Sequence, residues 1–156
     1  MKHFLKVFLI LSIFSIVQAQ ELTRDCTKKD LIGVWEVTHI KILNKKIAEN
    51  TFFDLVNKNQ IRIYKKDNSL WTASSNNDLS KVYKTLTKLP QGDFYTIEKS
   101  TLFTHRKSKD GKLIDKYRCD YFINNFEKAK IKKGSISLMW YKNNIPIIAN
   151  VYFKKP

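Results

Sequence analysis

Turn-making residues are scarce in this 156-residue chain, which has four Gly and three Pro. That leaves little room for a flexible linker, and no internal repeat or low-complexity tail is present. Motifs that carry chemistry are missing too. No Cys-x-x-Cys occurs, and neither His39 nor His105 has a second His or a Cys at metal-ligand spacing, so no metal site is expected. There is no Gly-rich phosphate loop and no Gly-x-Ser-x-Gly. Asp115 and Asp120 fall on one strand pattern but on opposite faces, so they make no carboxylate pair. With no catalytic set in view, the expectation is a protein that is not an enzyme and uses no cofactor. Arginine is rare: Arg24, Arg62, Arg106 and Arg118 stand against a Lys+Arg total of 29. The guanidinium is the better fork for phosphate, so this lysine-rich surface does not point to nucleic acid.

What is present begins with Met1 to Ala19, MKHFLKVFLILSIFSIVQA. Lys2 and Lys6 give a positive start, Val7 to Val17 an apolar core, and Val17-Gln18-Ala19 the small residues of a cleavage site. This is the pattern of a secretory signal peptide, too short to read as a spanning helix. Residues 1–19 are therefore expected to be removed, leaving 20–156 as one domain in a secreted or periplasmic location. Without Lys2 and Lys6 the formal charge of +15 falls to about +13. Two readings of that charge stay open: a solvated lysine surface, or a functional attraction to an anionic lipid, a polysaccharide or an acidic protein. The two cysteines, Cys26 and Cys119, are an even count in an exported chain and suggest one disulfide, the alternative being two reduced, buried thiols.

Short alternating runs then repeat along the chain, divided by polar turns. Val34 to Leu43 puts Trp35, Val37 and His39 on one face. Ile61 to Tyr64, with Ile61 and Ile63 in phase, turns through Lys66-Asp67-Asn68-Ser69 into Leu70 to Ala73. Phe94 to Glu98 and Leu102 to Arg106 follow, and Asp110-Gly111 signals a hairpin. Leu113 to Ile123 sets Tyr117, Cys119 and Tyr121 on one face, with Asp115 in the same register. Lys128 to Lys132 is a short polar strand candidate. Ser135 to Tyr141 alternates through Ile136, Leu138 and Trp140, and the last run through Ile147, Ala149, Val151 and Phe153. Asp78 to Leu86 fits either a helix or an edge strand, and Glu49 to Val56 a short helical turn. Consecutive strands joined by short turns make an all-β antiparallel meander, which removes its exposed edges by closing into an up-and-down barrel of about eight strands.

Gly33-Val34-Trp35 opens that meander. A Gly-x-Trp at the head of the first strand, behind the lead-in Asp30-Leu31-Ile32, resembles the lipocalins and their wider calycin relatives. The resemblance implies a short helical turn before the Gly, a tight bend at it, and a Trp that plugs the closed end of the barrel. It departs at the end of the chain. Typical lipocalins stack an Arg of the last strand on that Trp; here Phe153-Lys154-Lys155-Pro156 has none, and Lys154 is the residue left to cover Trp35 with its stem.

Two functions are compatible with such a barrel. In one, a small hydrophobic or amphipathic molecule sits inside, above Trp35, against a wall of Val37, His39, Tyr117, Tyr121, Trp140 and Val151. In the other, the barrel is filled by its own side chains and the basic exterior docks on an anionic envelope component or an acidic secreted partner.

Overall fold

A computed structural model describes residues 22–48, 59–74, 93–108 and 111–155. The expected signal peptide, the helix-or-strand segment 78–86 and the turn at 49–56 lie outside the described residues. Strand β1 (Thr23–Asp25) and a one-turn helix α1 (Lys28–Leu31) precede β2 (Gly33–Ile42) and a second short helix, α2 (Lys45–Ala48). Then come β3 (Gln60–Tyr64), β4 (Ser69–Ser74), β5 (Asp93–Glu98), β6 (Thr101–Ser108) and β7 (Gly111–Phe122), followed by β8 (Ile136–Lys142) and β9 (Ile145–Lys154). The strands from β2 to β9 pair antiparallel in chain order, and β9 returns to β2, so eight strands close into a barrel. β1 is the extra strand; it pairs with the lower end of β7, beyond the residue at which β6 begins its pairing. The stretch 128–132 is not a strand. It forms a 3-10 turn, Glu127–Ala129, clasped by one bridge between Phe126 and Ile131.

The opening Gly-x-Trp works locally as its chemistry requires. Gly33 has φ +140°, a region that L side chains rarely adopt. A Cβ there would also strike the Lys154 side chain. The chain bends at Gly33 and drops Trp35 into full burial, where its Nε1 donates to the Leu31 carbonyl of α1 (2.6 Å). Lys154, paired with Trp35 across β2 and β9, carries its Nζ to 5.7 Å from the indole centroid. Lysine thus takes the covering position.

The disulfide joins Cys26 to Cys119 of β7, with Cys26 N–H donating to the Cys119 carbonyl (3.2 Å). A second clasp secures the same lead-in. Arg24 Nη1 and Nη2 both donate to the Asp30 carboxylate at 2.7 Å, and Thr27 closes a capping box on Asp30 through its N–H (2.8 Å) and hydroxyl (2.7 Å). The Arg24 hydrogen bonds, helped by Thr27 and opposed by partial burial, hold the Asp30 carboxyl well below the usual carboxylate range. A lowered folded-state pKa stabilises above the unfolded value of about 4 and stops doing so as pH falls toward the folded value. Wild type and Asp30→Asn are therefore expected to differ in urea midpoint at pH 7 and to converge progressively below about pH 4. A gap that persists unchanged at pH 2 would contradict the clasp.

Candidate functional site

The barrel interior is built in two tiers. The floor is dry: Leu31, Trp35, Tyr95, Leu102, Cys119, Ile136 and Leu138 are buried together. Above it lies a polar tier in which Gln60 and Arg62 of β3, Thr104 of β6, Asp115 of β7 and Asn150 of β9 are all buried. Tyr64, Tyr117, Trp140 and Tyr152 stand between the two tiers with their polar tips engaged.

Strand phase decides who faces this space. On β3 the inward residues are Gln60, Arg62 and Tyr64. Ile61 and Ile63, the alternation that the sequence makes conspicuous, pack instead with Val34, Trp71 and Ala73 in a separate cluster. On β9 the inward set is Ile148, Asn150 and Tyr152, so Val151 does not line the barrel wall as expected. It packs with Phe122 and Ile131 against the turn that contains Phe126 and Ala129. His39 is displaced as well. A register shift between Val37 and His39 inserts one residue into β2, so that Val37 opposes Tyr152 while His39 opposes the outward Val151. Past that bulge Ile40, not His39, packs on the core, and the His39 ring meets Thr38 Oγ1 at 2.9 Å.

The remaining expected residues do converge on the interior. Trp35 lies at the floor with Val37 against the same core. Tyr117 and Trp140 are neighbours across β7 and β8, and Trp140 Nε1 donates to Asp115 (3.3 Å). Tyr121 shares their phase but lies at the lower edge, half-buried beneath the Arg24 guanidinium, 4.4 Å from its ring centroid.

The two interior arginines are treated differently. Arg106, at the upper end of β6, is paired with the Asp115 carboxylate. Arg62 has no carboxylate partner among the described residues. Its Nε donates to Tyr152 Oη (3.1 Å), Nη1 to Tyr64 Oη (3.3 Å) and Nη2 to Tyr117 Oη (3.3 Å). Its guanidinium carbon also lies over the Tyr117 and Tyr152 rings, at 4.9 and 5.4 Å from their centroids. Burial pushes the Tyr64 phenol up to about 12 and raises Tyr117 as well, each against the pull of Arg62, so both are neutral at physiological pH. Tyr152 Oη–H donates a hydrogen bond to Gln60 Oε1 (2.9 Å).

No family model, curated protein or solved structure matches this chain.

A cavity of about 80 Å3 opens beside this cluster, lined by Gln60, Arg62, Leu70, Thr104, Arg106 and Tyr117 among others. It lies at the end of the barrel where β3 and β7 begin and β6 finishes. Asp93 borders it, its carboxyl raised by burial against the opposing pull of Arg106. At the same end, Ile42 and Leu113 continue the inward phase of β2 and β7 but are 42% exposed, which gives the rim apolar groups. The arrangement offers a charged inner end, neutral hydrogen-bonding walls and an apolar lip. No signal in a single sequence separates Arg62 from a surface arginine; its neighbours Ile61 and Ile63 point to the opposite phase.

Proposed function

We propose that this is an exported, lipocalin-like protein that binds a small amphipathic molecule at the open end of its barrel. The observation that supports this best is the cavity beside Arg62, a concave space lined by polar groups together with Leu70, at the end of the barrel where Ile42 and Leu113 are exposed. Its size limits the ligand. Trp35, Tyr95, Leu102 and Tyr152 already fill the lower barrel, so a long acyl chain has no room to run to the floor. A space of about 80 Å3 takes the polar head of an amphipathic molecule, its body lying toward Ile42 and Leu113 at the same end of the barrel. Removal of a signal peptide and formation of the Cys26–Cys119 bond in an oxidising compartment accord with this role.

A second reading rests on the charge. A groove of about 230 Å3 on the outer wall is lined by Lys116, Arg118 and Tyr141 among others, and the chain carries a formal +15. Docking of an anionic polymer or acidic protein there would be sensitive to salt. One titration separates the readings. Binding of short amphipathic molecules, followed by calorimetry and by tryptophan fluorescence, is expected to survive a change from low to moderate ionic strength, because it rests on apolar contact and on a buried rather than a solvent-exposed charge. Affinity for anionic vesicles or polyanions that collapses over the same range, with no saturable small-molecule binding, would favour the surface reading instead.

A further inference from the structure

We infer that Arg62, together with the hydroxyl of Tyr117, is a receptor for the carboxylate of a small organic acid. This rests on the ligand-binding reading above and names the chemistry of the group bound at the inner end of the cavity. Arg62 is 5% exposed and carries a charge that cannot be shed. Around it stand neutral phenols that accept its hydrogen bonds, while the O–H groups of Tyr64 and Tyr117 have no acceptor among the described residues. The cluster is therefore rich in donors and positive, and an acceptor of negative charge is what completes it.

Isolating a cation in a barrel core costs free energy that neutral hydrogen bonds and ring contacts offset only in part. Arg106 shows the ordinary remedy, since Asp115 neutralises it. Arg62 has no such partner among the described residues, yet it lines the same cavity. Its planar fork suits a carboxylate, which accepts parallel N–H bonds; with Arg106 already paired to Asp115 and the Asp93 carboxyl at the border of the cavity, the one positive charge of Arg62 suits a monoanion better than a dianion. Leu70 on the cavity wall and the apolar lip favour an organic acid over a hydrated inorganic ion.

The test uses the oxidised protein and calorimetry with hexanoate and benzoate, each against its neutral amide, and with inorganic phosphate as competitor. Wild type is expected to bind the acids about 10- to 100-fold more tightly than the amides, the range of a charge-assisted hydrogen bond. Phosphate is expected to displace them poorly. Arg62→Met should erase the preference for acid over amide while keeping the urea midpoint unchanged or higher, because it removes a buried charge and leaves only neutral phenols behind. Tyr117→Phe, a gentler variant, should weaken acid binding several-fold and leave amide binding unchanged. Equal affinity for acids and amides in wild type would overturn the carboxylate receptor while leaving the pocket standing. Tight phosphate binding lost in Arg62→Met would overturn the organic acid in favour of a free-anion site. Failure of every probe to bind would remove the pocket reading and this inference with it.

Discussion

Loss of the Cys26–Cys119 bond is expected to lower stability by about 4–5 kcal/mol, the largest effect of any single change considered for this molecule. The bond links residues 93 apart in sequence, so its removal frees most of the chain from a long covalent loop in the unfolded state. It also releases the lead-in. β1 pairs with only Thr23–Asp25 against β7, and α1 is a single turn, so neither is a stable element without its anchor. The Cys26→Ala/Cys119→Ala double variant, compared with the oxidised protein in urea, measures both effects. A lower midpoint with a steeper denaturant slope is expected, because the unlinked chain exposes more surface when it unfolds. A midpoint within about 1 kcal/mol of wild type would mean that the lead-in is held by Arg24 and Asp30 rather than by the disulfide.

The second large effect is at the floor. Trp35→Ala is expected to destabilise by about 3–5 kcal/mol, the usual cost of deleting a fully buried large aromatic. The indole meets α1 through the Leu31 carbonyl and lies under Lys154, so its loss opens a hole where the first and last strands of the barrel meet. Trp35→Phe separates packing from hydrogen bonding: it restores part of the volume but leaves the Leu31 carbonyl without its donor, at about 1–3 kcal/mol. Chemical denaturation of the two variants checks the order. An alanine variant as stable as wild type would show that the barrel end is closed by something other than the indole.

Much of the architecture can be read from the chain because β-meanders announce themselves. Alternation along Ser135 to Tyr141, the polar turns at Lys66 to Ser69 and Asn143-Asn144, and the scarcity of Gly and Pro within runs all survive in the barrel. Gly33 and Trp35 were legible for a local reason: a positive-φ bend followed by an indole is a sequence-adjacent device. β1 was not legible. Thr23-Arg24-Asp25 has no apolar alternation, and it becomes a strand only because β7 extends past β6 and offers a free edge.

The candidate site was legible only in part, and the reason is phase. Tyr117 and Trp140 lie on long strands with one clear inward face. On β3 and β9 both faces are buried, the outer one beneath separate apolar clusters, so hydrophobicity does not say which set looks inward. On β2 a single inserted residue reverses the pattern after Val37 and sends His39 outward. The chain alone pointed to the antiparallel meander, to Cys26 and Cys119 as the one candidate disulfide pair, and to the bend at Gly33 ahead of Trp35, since these depend on neighbours in sequence and on residue type. Which residues share the interior, and that Arg62 stands among them ringed by phenols with no carboxylate partner among the described residues, depended on pairing register across strands distant in sequence. Period-two alternation defines two faces of a strand, and only closure of the barrel chooses between them.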